Sequence, residues 1–257
     1  MRKSKWRKIL LFFVTLFFLI GLLCFSYPLI YGSVVDHEIH ENANTFLSGQ
    51  EVRNPAPEPP APSAPEDTTA EQVVDAPKYA DLKSAMEAYN QAIYQQGQSG
   101  LSCEYNYQVP SFTLADYGLN SEIFGVISIP AMDLEMPIYL GATNEHMALG
   151  AAHMSQTSLP IGGIDTNCVI AGHRGYSGAS YFRYIEKLSV GDSVTITNLW
   201  ESLHYRVSEI KIIDPYDVDE ILIQKGRELI TLLTCHPYAS GGRQRYVVYC
   251  ERVPSHE

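Results

Sequence analysis

Residues Ile9 to Val35 read "ILLFFVTLFFLIGLLCFSYPLIYGSVV", without one charge, behind Arg2, Lys3, Lys5, Arg7 and Lys8. This run limits what the chain can be more than any other feature does. About 20 apolar residues cross a bilayer as a helix, and Ile9 to Tyr31 supplies 23. A cleavable leader has a shorter apolar region that ends in small residues; here no alanine occurs between Met1 and Asn42. The expected organisation is therefore a basic cytoplasmic tail over residues 1–8 and a transmembrane signal anchor over 9–31. Basic flanks stay inside, so the remainder is expected outside, as the extracytoplasmic part of a single-pass protein of the cell membrane.

The formal net charge of −11 includes +5 from the first 35 residues, which leaves −16 on the rest. Phosphate binding needs clustered Lys and Arg, so an acidic ectodomain argues against nucleic acid as a partner. Cys24 lies in the apolar run, and Cys103, Cys168, Cys235 and Cys250 follow it. Their sparse, irregular spacing is unlike a disulfide scaffold. Without a C-x-x-C pair or a His/Cys cluster, no metal site is expected. Cys168 in "NCVIAG" and Cys250 in the last strand read as small core residues.

Residues 51–66, "EVRNPAPEPPAPSAPE", hold six prolines in sixteen positions, a composition that favours extended polyproline II. An extracytoplasmic proline-rich linker is expected over 32–78. A helical extension then spans 79–120. Leu82, Met86, Tyr89 and Ile93 share one face of its helix, with Asp81 to cap the start and Gly97 to end it. From 121 to 254 the pattern turns to strands. "IFGVISIPAMDLEMPIYLG" reads as two strands broken by Pro130 and Pro137. "NCVIAGHRG" is a buried strand ending in a polar turn, and "DSVTITNLWESLHYRVSEIKIID" is a hairpin. "RELITLLTC" and "RYVVYCERV" follow. Short strands with irregular connections point to a β-barrel or sandwich.

Cys235 ends an apolar run at a strand mouth. A thiol is nucleophilic as thiolate, and a free thiol has a pKa of about 8.5, so it needs a neighbouring base or acid. His173, at the end of "CVIAG", is the leading candidate. An acyl-transfer site also needs a donor for the developing oxyanion. Arg243 and Arg245 share a strand face, so alternation leaves both open. His236, adjacent to Cys235, should point to the opposite face.

Together these segments resemble the sortases. "TLLTC" resembles their Thr-Leu-x-Thr-Cys signature, "AGHRG" their histidine segment, and Arg245 before "YVVYCERV" their arginine. The spacings are similar too, 62 residues from His173 to Cys235 and ten on to Arg245. "GVISIPAMDLEMPIYLG", "SLPIGGIDTNCVIAGHRG" and "CHPY" are similar to class C, pilin-polymerising sortases. The resemblance covers about 121 to 253. It implies a mainly β protein, a closed eight-stranded barrel with peripheral helices, preceded here by the N-terminal transmembrane helix.

The resemblance further implies a cysteine transpeptidase acting on surface proteins or pilin subunits with a Leu-Pro-x-Thr-Gly sorting signal. Cys235 would attack the Thr–Gly carbonyl and form a thioester. His173 would act as general acid and base. Arg245 would position the substrate and support the oxyanion. Thr234, Ser158, Leu159 and Pro160 would border the substrate groove. No cofactor is implied. The acceptor amine is expected to be a pilin lysine, with a peptidoglycan precursor as the alternative; a hydrolase, or a non-catalytic adhesin or scaffold, is the reading of another kind. Two features depart from class C. No Asp-Pro occurs between residues 36 and 120 to anchor a lid, Asp214-Pro215-Tyr216 reading as a turn, and the sequence ends "ERVPSHE" without an apolar run.

Overall fold

The computed structural model describes residues 2–53, 79–102 and 108–254. The proline-rich residues 54–78 and Cys103 lie outside them. Eight strands close into one barrel in the order β1-β2-β3-β4-β7-β8-β6-β5. They are β1 Ile123–Ile129, β2 Leu134–Leu140, β3 Ala151–His153, β4 Thr166–Ala171, β5 Ser193–Thr197, β6 Ser202–Ile213, β7 Glu228–His236 and β8 Gln244–Arg252. Most neighbours are antiparallel, but β2 with β3 and β4 with β7 are parallel. Closure removes the open edges that a sheet this rich in Val, Ile and Tyr would otherwise expose.

The interior is a continuous apolar cluster. Ile127, Met136, Ile138, Ile170, Val194, Ile230, Leu232 and Val248 meet inside it, with the thiols of Cys168 and Cys250 among them. Both cysteines are free, and burial pushes both thiols well above their ordinary pKa. They are packing groups. Pro137 does not break β2. It pairs with Val126, and on β2 the partners of β3 are Ile138–Leu140. The carbonyl of Pro137 faces Gly150, so its nitrogen faces the side where β3 has not yet begun and costs the ladder no bond.

Helix α2, Ala80–Gln95, buries Leu82, Met86, Asn90 and Ile93. The expected face is right except that Asn90 joins it and Tyr89 is only half-buried. Tyr79, not Asp81, holds the N-cap position. Gly97, at φ +63°, turns the chain out of the helix, a backbone state that glycine adopts without strain.

Helix α1 departs most from the sequence reading. It runs unbroken over Arg2–Arg53, and Ile9 to Tyr31 contributes the exposed apolar part long enough to cross a membrane. The linker expected to begin at residue 32 is helix as far as 53. The reason is a second pattern behind the polar residues. Gly32, Ile39, Ala43 and Gln50 are buried, and Val35, Phe46 and Leu47 half-buried, which are spacings of three and four on one face. That face packs on β1 and β2, with Val35 and Ile39 against the barrel core and Phe46 against the cluster around Leu82 and Met86. Burying one aliphatic side chain such as Ile39 contributes about 1.5–3 kcal/mol toward holding the helix on the barrel.

Candidate active site

Three adjacent strands converge on one mouth of the barrel. β4 and β7 run parallel, from Thr166 opposite Glu228 to Ala171 opposite Leu233. The Gly172 amide continues the ladder by donating to the Leu233 carbonyl at 3.1 Å. The same offset, carried one residue further, sets His173 level with Cys235. On the other side β8 pairs antiparallel with β7, and Arg245 is the cross-strand partner of Cys235. The two residues meet around Gly242. A methyl on that glycine would stand 3.2 Å from Cys235 Sγ and 3.0 Å from Arg245 Nη1, and its φ of +78° favours glycine. Nη1 donates to the carbonyls of Gly242 at 2.7 Å and Gln244 at 3.1 Å. The guanidinium is thus clamped to its loop through one nitrogen. Nε and Nη2 have no protein partner among the described residues.

The ladder also separates the two arginines that alternation left open. β8 begins at Gln244, so Arg243 lies in the turn, where it is exposed, whereas Arg245 is half-buried. Cys235 itself is exposed.

His173 is held by aromatic rings. Tyr176 stacks on its imidazole at 4.6 Å between centroids, and Tyr181 meets it edge-on at 5.8 Å. Burial by these rings lowers its pKa below the ordinary histidine value. The segment carrying Tyr176 is a tight hairpin. The Tyr176 and Ala179 amides and carbonyls exchange bonds of 3.2 and 2.9 Å, and both central residues, Ser177 and Gly178, have positive φ, as a type I′ turn requires.

Thr234, expected to border the groove, is 2% exposed. Alternation turns it away from Cys235, and its hydroxyl donates to the Gly172 carbonyl at 2.7 Å, tying β7 to the backbone just before His173. Ser158, Leu159 and Pro160 are buried away from the mouth. Ser158 Oγ accepts from the Asn167 amide at 3.0 Å, near the start of β4. The Leu159 amide donates to Asn90 of α2 at 2.7 Å, and the Pro160 carbonyl accepts from Asn198 at 3.0 Å. The backbone polar groups of this loop join α2 to the barrel; its side chains do not line a groove.

Arg174 was not singled out in the sequence. Its side chain is only 4% exposed, and it pairs with Glu186 at 2.7 Å. Nη1 donates to His236 Nδ1 at 2.7 Å and lies 3.4 Å from the Cys235 carbonyl. The hydrogen bond from Arg174 holds the Glu186 carboxyl below the usual carboxylate range. His236 therefore faces away from the thiol, as alternation requires, and is engaged by Arg174. This network fixes the backbone that carries Cys235. The clue was an arginine directly after His173, easily read as a solvated turn charge. Among the described residues, no group of three His, Cys, Asp or Glu side chains is placed to hold a metal.

The closed eight-stranded barrel brings a cysteine on β7, an arginine on β8 and a histidine two residues past β4 to one mouth, the groups that a thiol acyl transfer calls for. Residues 127–253 match the protein-family model for the Sortase domain. Among solved structures, the chain is similar to sortase C1 of GBS pilus island 1, with 30% identity and a TM-score of 0.61 over 72% of this chain and 87% of that one. It is also similar to sortase A from Corynebacterium diphtheriae, with 29% identity and a TM-score of 0.58 over 68% of this chain and 84% of that one. Sortase D of Bacillus subtilis (strain 168) is 29% identical over 133 residues, 50% of this chain and 63% of that relative. The chain thus spans under two thirds of that curated relative's length. The chain belongs to the sortase family.

Proposed function

We propose that the protein is a membrane-anchored transpeptidase that cleaves a Leu-Pro-x-Thr-Gly-type sorting signal between Thr and Gly and passes the acyl group to an amine. The anchor is α1, with its basic end in the cytoplasm and the barrel outside. Cys235 Sγ, as thiolate, attacks the Thr carbonyl carbon, and the C–N bond to Gly breaks. His173 supplies the proton that the departing glycine amine takes up. An acceptor amine then attacks the thioester, loses a proton to His173, and Cys235 leaves as thiolate. Arg245 Nε and Nη2 donate to the carbonyl oxygen as its negative charge develops. The observation that carries this reading is the opposition of Cys235 and Arg245 across β7 and β8. The acceptor we favour is a pilin lysine, in keeping with the structural likeness to a sortase named for a pilus island. A peptidoglycan precursor is the second reading, because the chain is also similar to sortases labelled A and D.

The test is to incubate the detergent-solubilised chain with pilin subunits bearing the signal, or with a sorting peptide and a peptidoglycan-like amine. Covalent ladders of subunits support pilin polymerisation; a product only with the small amine supports wall anchoring. Release of free acid with every amine present would overturn transpeptidation. Cys235→Ala should abolish every product.

A further inference from the structure

The end of the apolar part of α1 touches the active-site loop. Gly178, at the tip of the hairpin after His173, packs on α1 so closely that a methyl there would stand 2.2 Å from the Pro28 carbonyl oxygen and 3.1 Å from Gly32 Cα. Pro28 is still inside the run that ends at Tyr31. Asp36, two turns further, accepts from the Ser180 amide at 2.9 Å. From there the helix travels up the barrel, and Leu47 and Gln50 line a shallow cleft with Asn198 and Trp200. Pro28 to Gln50 covers roughly 33 Å at helical rise. The His173 loop therefore lies level with the end of the apolar run, and the Trp200 turn lies far above it.

The surface at that low end has its own composition. Tyr176, Tyr184 and Tyr238 are exposed by 49, 44 and 49%. Arg183 stands over the rings of Tyr238 at 4.9 Å and Tyr184 at 5.8 Å, and Lys187 over Tyr184 at 4.7 Å. The group is contiguous with the hairpin, since a methyl on Gly175 would meet Tyr238 at 3.2 Å and Arg183 Cδ at 3.6 Å. Neither Arg183 nor Lys187 is in an ion pair among the described residues, and nearby Glu186 is engaged by Arg174. The chain beyond residue 35 carries a formal −16, so two cations without acidic partners are out of keeping with its surface. Exposed tyrosines beside cations at the end of a membrane span suit the headgroup layer, where rings sit amphipathically and cations meet phosphates.

We propose that Tyr176, Tyr184, Tyr238, Arg183 and Lys187 form a membrane-contact surface that rests on anionic lipid headgroups of the bilayer α1 crosses, holding the mouth with Cys235 at headgroup height. The inference rests on the reading of Ile9–Tyr31 as a membrane span. A substrate reaching this mouth has its scissile bond within a few residues of the bilayer surface, so the surface selects polypeptides still tethered in the same membrane.

The full chain in lipid nanodiscs, followed by hydrogen–deuterium exchange, tests this. Phosphatidylcholine discs are compared with discs containing phosphatidylglycerol. Amides of residues 174–187 and 237–241 should be protected in the anionic discs, while the Asn198–Glu201 turn exchanges equally in both. Two cations near an anionic leaflet should shift the contact equilibrium about 30-fold. The exposed-site variant Lys187→Glu and the neutral pair Arg183→Gln with Lys187→Gln should each remove most of that protection. Residues 9–31 serve as the internal reference. If they are protected and the patch is not, or if both lipids protect the patch equally, the headgroup surface is wrong. If residues 9–31 are themselves unprotected, the membrane span is wrong and the surface falls with it.

Discussion

Asp36 on α1 and Ser180, seven residues past His173, are joined through both carboxylate oxygens, Oδ1 to the amide at 2.9 Å and Oδ2 to the hydroxyl at 3.4 Å. The helix that leaves the apolar run thereby holds the loop whose Tyr176 stacks on His173. Helix α1 and the His173 loop are therefore mechanically one unit, and a change in α1 beyond Tyr31 reaches the imidazole through a single turn of chain.

Asp36→Ala is expected to loosen residues 176–180 and lower turnover several-fold with the barrel intact. A hydrogen bond to a charged group contributes about 1.5–3 kcal/mol, and part of that loss appears as faster amide exchange in this loop. Asp36→Asn keeps one acceptor oxygen and should recover part of the turnover. Unchanged exchange at Tyr176–Ser180 in the alanine variant would show that the Gly32–Gly178 contact alone holds the loop.

Arg245→Ala is expected to reduce kcat by about 10²–10³, the usual loss for an oxyanion donor, while Arg243→Ala changes it little. The reason is positional. Arg245 pairs with Cys235 in the ladder and is clamped by the Gly242 carbonyl, whereas Arg243 is exposed in the turn. Arg245→Lys should recover little, because an ammonium cannot hold two carbonyls and still present a fork to a substrate. Steady-state kinetics of the three variants decides it; comparable losses at 243 and 245 would contradict the register.

Tyr176→Ser is expected to raise the pKa of His173 toward the ordinary value of about 6.5. Burial is what lowers it, and Tyr176 supplies the face-to-face part of that burial. Removing the ring admits water to the charged form, so the shift must be upward. Titrating the imidazole resonance of both proteins by NMR measures it. A downward shift, or none, would mean that Tyr181 and the backbone desolvate the ring instead.

The barrel was legible because most of its strands announce themselves. β4, β7 and β8 are apolar runs with abrupt polar ends, and the residues at those ends are the ones the mouth brings together. β3 was not legible. Ala151–His153 is three residues long, and its parallel pairing with β2 leaves no periodic trace in so short a piece. The helix beyond Tyr31 was hidden by His37, Glu38, His40 and Glu41, which crowd the solvent face and mask Val35, Ile39 and Ala43 on the other. Thr234 and Ser158–Pro160 were assigned from resemblance rather than packing, and only the closed ladder shows which way such residues face. Arg174 was obscured because a buried arginine and a solvated one look alike in sequence; Glu186, its partner, lies twelve residues away.

His153 should make the fold less stable as pH falls from about 6.5 to about 4. It is fully buried on β3, and burial lowers its pKa to about 4. Nε2 lies 3.3 Å from the Thr157 carbonyl and 3.2 Å from its hydroxyl, whereas Nδ1 is buried with no partner among the described residues. A second proton would go on Nδ1, where nothing accepts it. In the unfolded chain the imidazole titrates near 6.5, so between those values the unfolded state holds more protons than the folded one. Stability therefore rises with pH through this window and is lost as pH falls. Two and a half units at about 1.4 kcal/mol each set the limit at roughly 3.5 kcal/mol. Carboxylates such as Glu186 add their own acid limb, so the informative quantity is a difference. Urea midpoints of the detergent-solubilised chain and of His153→Gln, measured at pH 4.5 and 7.0, isolate the histidine. The variant should be less stable than wild type at pH 7.0 but should lose much less on acidification. Parallel losses in the two proteins would show that His153 is not the group that titrates.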